Sequence, residues 1–154
     1  MTAVTIREAT LDEMESLLAF EQGVITAERP FNDRLKPDPI HYYDLPDLIT
    51  SENATVLVAE ANGVLVGSGY AQIRKAKPYM KHDFHSYLGF MYVAPEYRGQ
   101  GINQQVLKHL TEWSKSQGVH HLVLDVYADN QTAIRAYEKA GFKNDFIEMC
   151  MTVE

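Results

Sequence analysis

The chain has 154 residues, 45% of them hydrophobic and 23% charged, the proportions of an ordinary globular domain that buries about two thirds of the surface its unfolded form exposes. A formal charge of -7 excludes a general nucleic-acid binder, which needs clustered Lys and Arg, and favours neutral or cationic partners. No apolar run of about eighteen residues is present, MTAVTIREATLDEME lacks the basic start and apolar core of a signal peptide, and the lone Cys150 makes no internal disulfide. The expectation is one cytoplasmic domain over residues 1–154 with no membrane or nucleic-acid partner.

The segment AVTIREA alternates apolar and polar residues and predicts a strand. Thr10, with Glu13 three residues on, then caps a helix whose apolar positions are Leu11, Met14, Leu17, Leu18 and Val24. Pro30, Pro37, Pro39 and Pro46 break residues 28–50 into short turns, a region of the kind that shapes a substrate mouth. TVLVAEA and VLVGSGYAQIR, joined by Asn62-Gly63, predict a hairpin. After the polar linker KAKPYMKHDFH, the run YLGFMYVA reads as a strand buried on both faces.

The stripe Ile102, Val106, Leu107, Leu110 and Trp113 marks a helix ending near Gly118. HLVLDVYA is a further strand and NQTAIRAYEKA a helix closed by Gly141. FIEMCMTV is a last strand in which Cys150 packs as a buried residue. The order β, α with short turns, β, β, β, α, β, α, β predicts an α/β fold. Its sheet is mixed, antiparallel at the hairpin and parallel across a right-handed crossover from YLGFMYVA to HLVLDVYA.

Between that parallel strand and its helix lies VAPEYRGQGINQQVL. A loop opening a helix aims backbone N–H groups outward, and the helix dipole adds about half a positive charge. Gly99 and Gly101 let the main chain approach an anion, and Arg98 adds a planar cationic fork. A Walker-type loop needs Gly-Lys-Ser/Thr, which is absent, and a dinucleotide fingerprint would put its third glycine at Gln104.

The letters R-G-Q-G-I-N after V-A-P-E-Y resemble the acetyl-CoA loop of the GNAT superfamily of N-acetyltransferases, Gln/Arg-x-x-Gly-x-Gly/Ala. A second block, N-Q-T-A-I-R-A-Y-E-K-A-G-F at residues 130–142, lies where that family has its own. The resemblance implies a six- to seven-stranded mixed sheet flanked by about four helices, splayed between two parallel strands to admit the cofactor. It implies acetyl-CoA as co-substrate, with the pantetheine arm along Met91, Tyr92 and Val93. The pyrophosphate would then meet Arg98, Gly99, Gln100, Gly101, Ile102, Asn103 and Gln104. Asn130 would touch the arm and cap its helix, Tyr137 would sit near the sulfur, and dimerisation would be supported by the apolar last strand. Asn103 departs from the usual Gly or Ala, and its amide is expected to face the pyrophosphate all the same.

Transfer to an amine needs a neutral amine, a polarised carbonyl and a protonated leaving thiolate. The N–H of Val93 suits the second need and the Tyr137 phenol the third. The strand carboxylate that many family members use as base has no counterpart between Tyr87 and Ala94, which leaves Glu21, Glu28, His85 or a water chain. The histidines His82, His85, His120 and His121 lack a convincing third ligand, so no metal is expected. Arg74, Lys75, Lys77 and Lys81 read first as an ordinary charged loop, with contact to an anionic acceptor or the CoA 3′-phosphate as the alternative. The expected function is N-acetyl transfer from acetyl-CoA to a primary amine of a small molecule or peptide in a ternary complex. Two alternatives stand beside it: a CoA-binding module of the same fold with lost or altered catalysis, and a nucleotide-binding regulatory domain.

Overall fold

The computed structural model describes residues 2–154. Five strands form one mixed sheet in the order β1 (Thr5–Glu8), β2 (Ala54–Ala61), β3 (Val64–Lys75), β4 (Phe84–Val93) and β5 (Leu122–Val123). The first four are antiparallel neighbours, and β5 runs parallel to β4. The β2–β3 turn is the expected one: Asn62 and Gly63 both have positive φ, as a two-residue hairpin matching the strand twist requires.

Strand β2 alternates sides with a period of two. Val56 and Val58 join Leu17, Val24, Leu45, Leu48, Tyr70 and Phe90 on one face, beneath α1 (Met14–Glu28) and α2 (Leu45–Thr50). Leu57 and Ala59 join Val66, Leu88, Val106, Leu107 and Leu110 on the other, beneath α3 (Ile102–Ser116). The fourth helix, α4 (Gln131–Ala140), starts at Asn130, whose side chain accepts the N–H of Ala133 at 3.2 Å, and stops at Gly141 with φ 109°. At the N-terminal end of the chain, the Glu13 carboxylate accepts the Thr10 N–H at 2.9 Å and binds Arg7 at 2.6 Å.

The sheet opens where β4 carries an extra residue. Ser68 faces Tyr92 and Tyr70 faces Gly89, so Phe90 and Met91 together oppose Gly69. Phe90 takes φ 57°, a conformation unfavourable for a bulky side chain, and is held there by its burial and by the Ser68 hydroxyl, which donates to its carbonyl at 2.9 Å. A bulge bends its strand. Beyond the pairs Ser86–Leu122 and Tyr87–Val123, β4 and β5 no longer join.

Four expectations need correction. The sheet has five strands rather than six or seven, and HLVLDVYA pairs only at Leu122–Val123. The run FIEMCMTV is not a strand in the single chain: it has no neighbour to complete a ladder, and its side chains stand in solvent. Cys150 lies in this run and is exposed, not buried.

Candidate active site

The gap between β4 and β5 is a cavity of about 390 Å³ closed by α1 on one side and α4 on the other. It is within the size range of small-molecule sites. Its floor is Met91, Tyr92 and Val93, and its mouth is Arg98, Gly99, Gly101, Ile102 and Asn103. Asn130, Thr132, Ala133, Ala136 and Tyr137 come from the start and inner face of α4, and Gly23, Val24, Ala27 and Glu28 from the second half of α1. A second cavity of about 310 Å³, near Glu8, Glu52 and Trp113, contains none of these groups.

Two glycines shape the mouth. Gly99 has φ 77° and Gly101 φ 78°, and a Cβ on either would meet no atom of the protein, so backbone conformation rather than crowding selects glycine. This path leaves the N–H groups from Gly99 to Gln104 without an acceptor among the described residues. They lie at the start of a fifteen-residue helix, whose dipole reinforces them. That donor set fits a pyrophosphate, and Asn103 is among the cavity-lining residues.

Arg98 is exposed, and its Nε donates to the Val93 carbonyl at 2.9 Å. Gln100 and Gln104 do not line the cavity with their side chains. The Gln100 Oε1 accepts the Thr2 N–H at 3.0 Å, and the Gln104 Nε2 donates to the Ala136 carbonyl at 3.0 Å, tying α3 to α4. Ile102 is core and cavity wall at once.

The floor exposes one strand edge. The Ala94 N–H is turned toward β3, where it donates to the Val66 carbonyl at 2.8 Å. Alternation along the strand turns the N–H and C=O of Val93 the opposite way, into the gap, where that carbonyl meets Arg98. An extended ligand arm laid on Met91, Tyr92 and Val93 would find this edge free to pair.

Among the base candidates the structure separates three positions. Glu21 is fully buried and saturated: it meets His41 Nδ1 at 2.7 Å and accepts the N–H groups of Tyr42 and Tyr43, each at 2.9 Å. It fastens the 41–43 segment to α1 and is closed to a substrate. His85 sits at the start of β4, about 26 Å from Val93 at strand rise. Burial lowers its pKa and nearby Arg74, His121 and His82 lower it further. The loop bearing Lys77 and Lys81 joins β3 to this same end of β4, away from the glycine loop.

Glu28, by contrast, is half-buried in the cavity wall, and desolvation lifts its carboxyl above the ordinary range. The buried Tyr42 hydroxyl lacks a hydrogen bond of full geometry, yet lies near enough for the Glu28 charge to raise its pKa after burial has done so. Tyr137 faces Glu28 across the cavity, its phenol pushed up to about 12 by burial first and the Glu28 charge second.

Sequence reasoning missed the β5 side of the mouth. Asp125, Val126 and Tyr127 line the cavity. The Asp125 carboxylate accepts the Tyr87 hydroxyl at 2.8 Å. Tyr127 stacks on Phe31 at 6.2 Å, and its hydroxyl accepts from the Asn32 side chain at 2.9 Å. Phe31 and Asn32 of the proline-interrupted segment thus touch Tyr127, although no residue of 29–50 lines the cavity itself. The signal available for Asp125 was its place at the end of a strand followed by a helix cap, DVYADN. Among the described residues no three His, Cys, Asp or Glu side chains gather closely enough to hold a metal.

Comparison with known proteins agrees with this geometry. Over 60 residues, 39% of this chain and 24% of the relative, it is 40% identical to the N-acetyltransferase YobR of Bacillus subtilis. Over 115 residues, 70% of this chain and 74% of the relative, it is 23% identical to the aminoglycoside N(6')-acetyltransferase type 1 of Salmonella typhimurium. A point mutant of the BH1408 protein from Bacillus halodurans superimposes with a TM-score of 0.87 at 20% identity, covering 97% of this chain and 99% of that one. The aminoglycoside acetyltransferase AAC(6')-Iy, in complex with a bisubstrate analogue, gives 0.76 at 19% identity over 99% of both chains. The profile of the Acetyltransferase (GNAT) family matches residues 14–142, which hold the splayed strands, the glycine loop and all of α4. With most of its length inside that match, the chain belongs to the GNAT acetyltransferase family.

Proposed function

We propose that the chain, acting as one domain, transfers the acetyl group of acetyl-CoA to the primary amine of a small cationic molecule by direct attack in a ternary complex. N-acetyl transfer from acetyl-CoA is the chemistry of the family. The observation that carries the finer reading is the meeting, around one cavity, of the Glu28 carboxylate, the Tyr137 phenol, the free edge of Val93 and the unpaired N–H groups of the α3 start.

Each group has a task matched to its place. The N–H groups from Gly99 to Gln104 and the Arg98 guanidinium hold the pyrophosphate, and Asn130, with its Oδ1 committed to the helix cap, offers its Nδ2 to the arm. The Val93 N–H receives the acetyl oxygen and stabilises the charge that develops there, an interaction worth about 3 kcal/mol in comparable sites. Glu28 takes the proton that the attacking amine loses, and Tyr137 gives its own to the departing sulfur.

The two proton carriers are coupled. While Glu28 is ionised its charge helps to keep the Tyr137 proton in place. When Glu28 accepts the amine proton that charge disappears, and the phenol becomes the stronger acid at the moment the thiolate leaves. Glu28 and Asp125 at the same mouth, with a net charge of -7, favour a cationic acceptor. The aminoglycoside named for one relative is of that class. The single unpaired cysteine supports a cytosolic setting.

A thiol-release assay with acetyl-CoA over small mono- and polyamines, amino acids and peptides tests the reading. Turnover is expected with cationic small amines. Cofactor binding without turnover of any amine would return the chain to a CoA-binding module.

A further inference from the structure

Glu28 stands in an unfavourable place for an ionised carboxylate. It is the last residue of α1, at the negative end of the helix dipole, and it is half-buried. The neighbouring cation is drawn elsewhere: Arg29 Nη2 binds the Asp38 carboxylate at 2.6 Å. Desolvation accordingly raises the Glu28 carboxyl, and the Tyr42 hydroxyl pulls it the other way.

A second carboxylate puts that hydroxyl in place. Residues 40–43 form a strap along α1. The Gln22 side-chain amide donates to the Ile40 carbonyl at 2.9 Å, His41 Nδ1 meets Glu21 at 2.7 Å, and Glu21 accepts the N–H groups of Tyr42 and Tyr43, each at 2.9 Å. Because Glu21 is fully buried, water does not compete for these bonds. The Tyr43 ring packs on Phe90 at 5.2 Å and fixes the strap to β4 as well.

Residues seven apart share one face of a helix, so Glu28 follows Glu21 on the same face, about 10 Å further along. Tyr42 leaves the strap at the level of Glu21 and brings its hydroxyl to Glu28. That hydroxyl is buried, makes no hydrogen bond of full geometry, and belongs to a residue that does not line the cavity. A buried phenol in that state is a donor in waiting, and a short rotation of the Glu28 carboxylate satisfies it.

We infer that Tyr42 is a positioning residue of the reaction: held by the Glu21 strap, its hydroxyl donates to one oxygen of the Glu28 carboxylate and leaves the other turned to the cavity for the amine proton. Tyr42 acts through Glu28 and not on the substrate. Its bond favours the ionised carboxylate, the form a base needs, against burial and the helix dipole. The other polar groups around this cluster are Tyr43, Tyr137, Tyr127, Arg29 and Asp125, and among the described residues none of them donates a hydrogen bond to Glu28. The inference rests on Glu28 being the base.

A carbon NMR titration of the full chain, labelled at the glutamate carboxyl and with the Glu28 signal identified by its loss in Glu28→Gln, reads the contact without any acceptor. Tyr42→Phe removes the donor and keeps the ring, so the Glu28 titration should move to higher pH. Glu21→Gln should move it the same way and add little in the Tyr42→Phe background, since both act through one hydroxyl. The second readout is thiol release with acetyl-CoA and the small cationic amine that the panel turns over fastest. Tyr42→Phe should be about tenfold slower at about pH 6.5 and within about threefold of the parent at about pH 8.5. A Glu28 titration or a rate profile left unchanged by Tyr42→Phe would overturn this inference and leave the base reading standing. A rate profile whose acid limb persists in Glu28→Gln would overturn the base reading and the inference with it. If Glu21→Gln does not fold, Tyr42→Phe decides alone.

Discussion

Glu28 on α1 and Tyr137 on α4 line the same cavity, and the Glu28 carboxylate contributes to pushing the Tyr137 phenol up to about 12. Helices far apart in sequence thus bring a carboxyl and a phenol to the gap that β4 opens when it leaves β5.

The base is tested by Glu28→Gln, which keeps the shape and removes the ability to accept a proton. Turnover should fall by about 10²-fold or more, with acetyl-CoA affinity unchanged within about twofold. Steady-state kinetics and a binding titration measure the two. A variant as active as the parent would assign the proton to water.

The same residue predicts a pH effect on stability. Burial raises the folded-state pKa of Glu28, so the favourable contribution belongs to the protonated form. That contribution is fully present below the ordinary carboxylate range and is lost as pH rises through the raised value. At neutral pH the ionised group therefore opposes folding, and Glu28→Gln should raise the Tm at about pH 7, with the gain shrinking toward about pH 4. Thermal scans at the two pH values check the sign.

Tyr137→Phe removes the proton donor and leaves the ring that packs on Phe142 at 6.0 Å. The expected result is a fall in kcat of about 10²-fold with cofactor affinity nearly intact, and a smaller deficit for acyl thioesters whose leaving thiol is more acidic. Equal deficits for all leaving groups would remove Tyr137 from the proton transfer.

Gly23 is set by Tyr92. A Cβ at position 23 would clash with Cε1 of the Tyr92 ring, which stacks on Phe20 at 4.8 Å and lines the cavity. Alanine normally improves a helix interior by about 1 kcal/mol, but here Gly23→Ala should destabilise by about 1–3 kcal/mol and weaken cofactor binding. In the Tyr92→Ala background the substitution should turn stabilising. Denaturant titrations of the double-mutant cycle measure that reversal.

Asn103→Gly should leave acetyl-CoA affinity within about tenfold, or about 1.4 kcal/mol, because the group expected to face the pyrophosphate is the backbone N–H. Isothermal titration checks this, and a larger loss would assign binding to the asparagine side chain.

What was legible in the sequence is what short stretches specify by themselves. Gly99 and Gly101 announce a loop that opens a helix, Asn62-Gly63 announces a hairpin, and Asn130 with Gly141 brackets a helix; all three elements form where expected. Glu28 was one of several carboxylates because its environment is made by distant parts, α4 and the Tyr42 segment, which pattern does not report. Phe90 carried no sign of a bulge, since its φ is imposed by pairing with β3 and by Ser68. The last strand was read from a correct alternation, but a strand needs a neighbour, and the single chain supplies none.

The most direct test of the account is the rate of N-acetylated product formation, followed by mass spectrometry, with acetyl-CoA and a panel of small cationic amines for the parent chain and Glu28→Gln side by side. The account predicts product from at least one such amine and a loss of about 10²-fold in the variant. Bound acetyl-CoA with no acetylated amine, or equal rates for the two proteins, would contradict it.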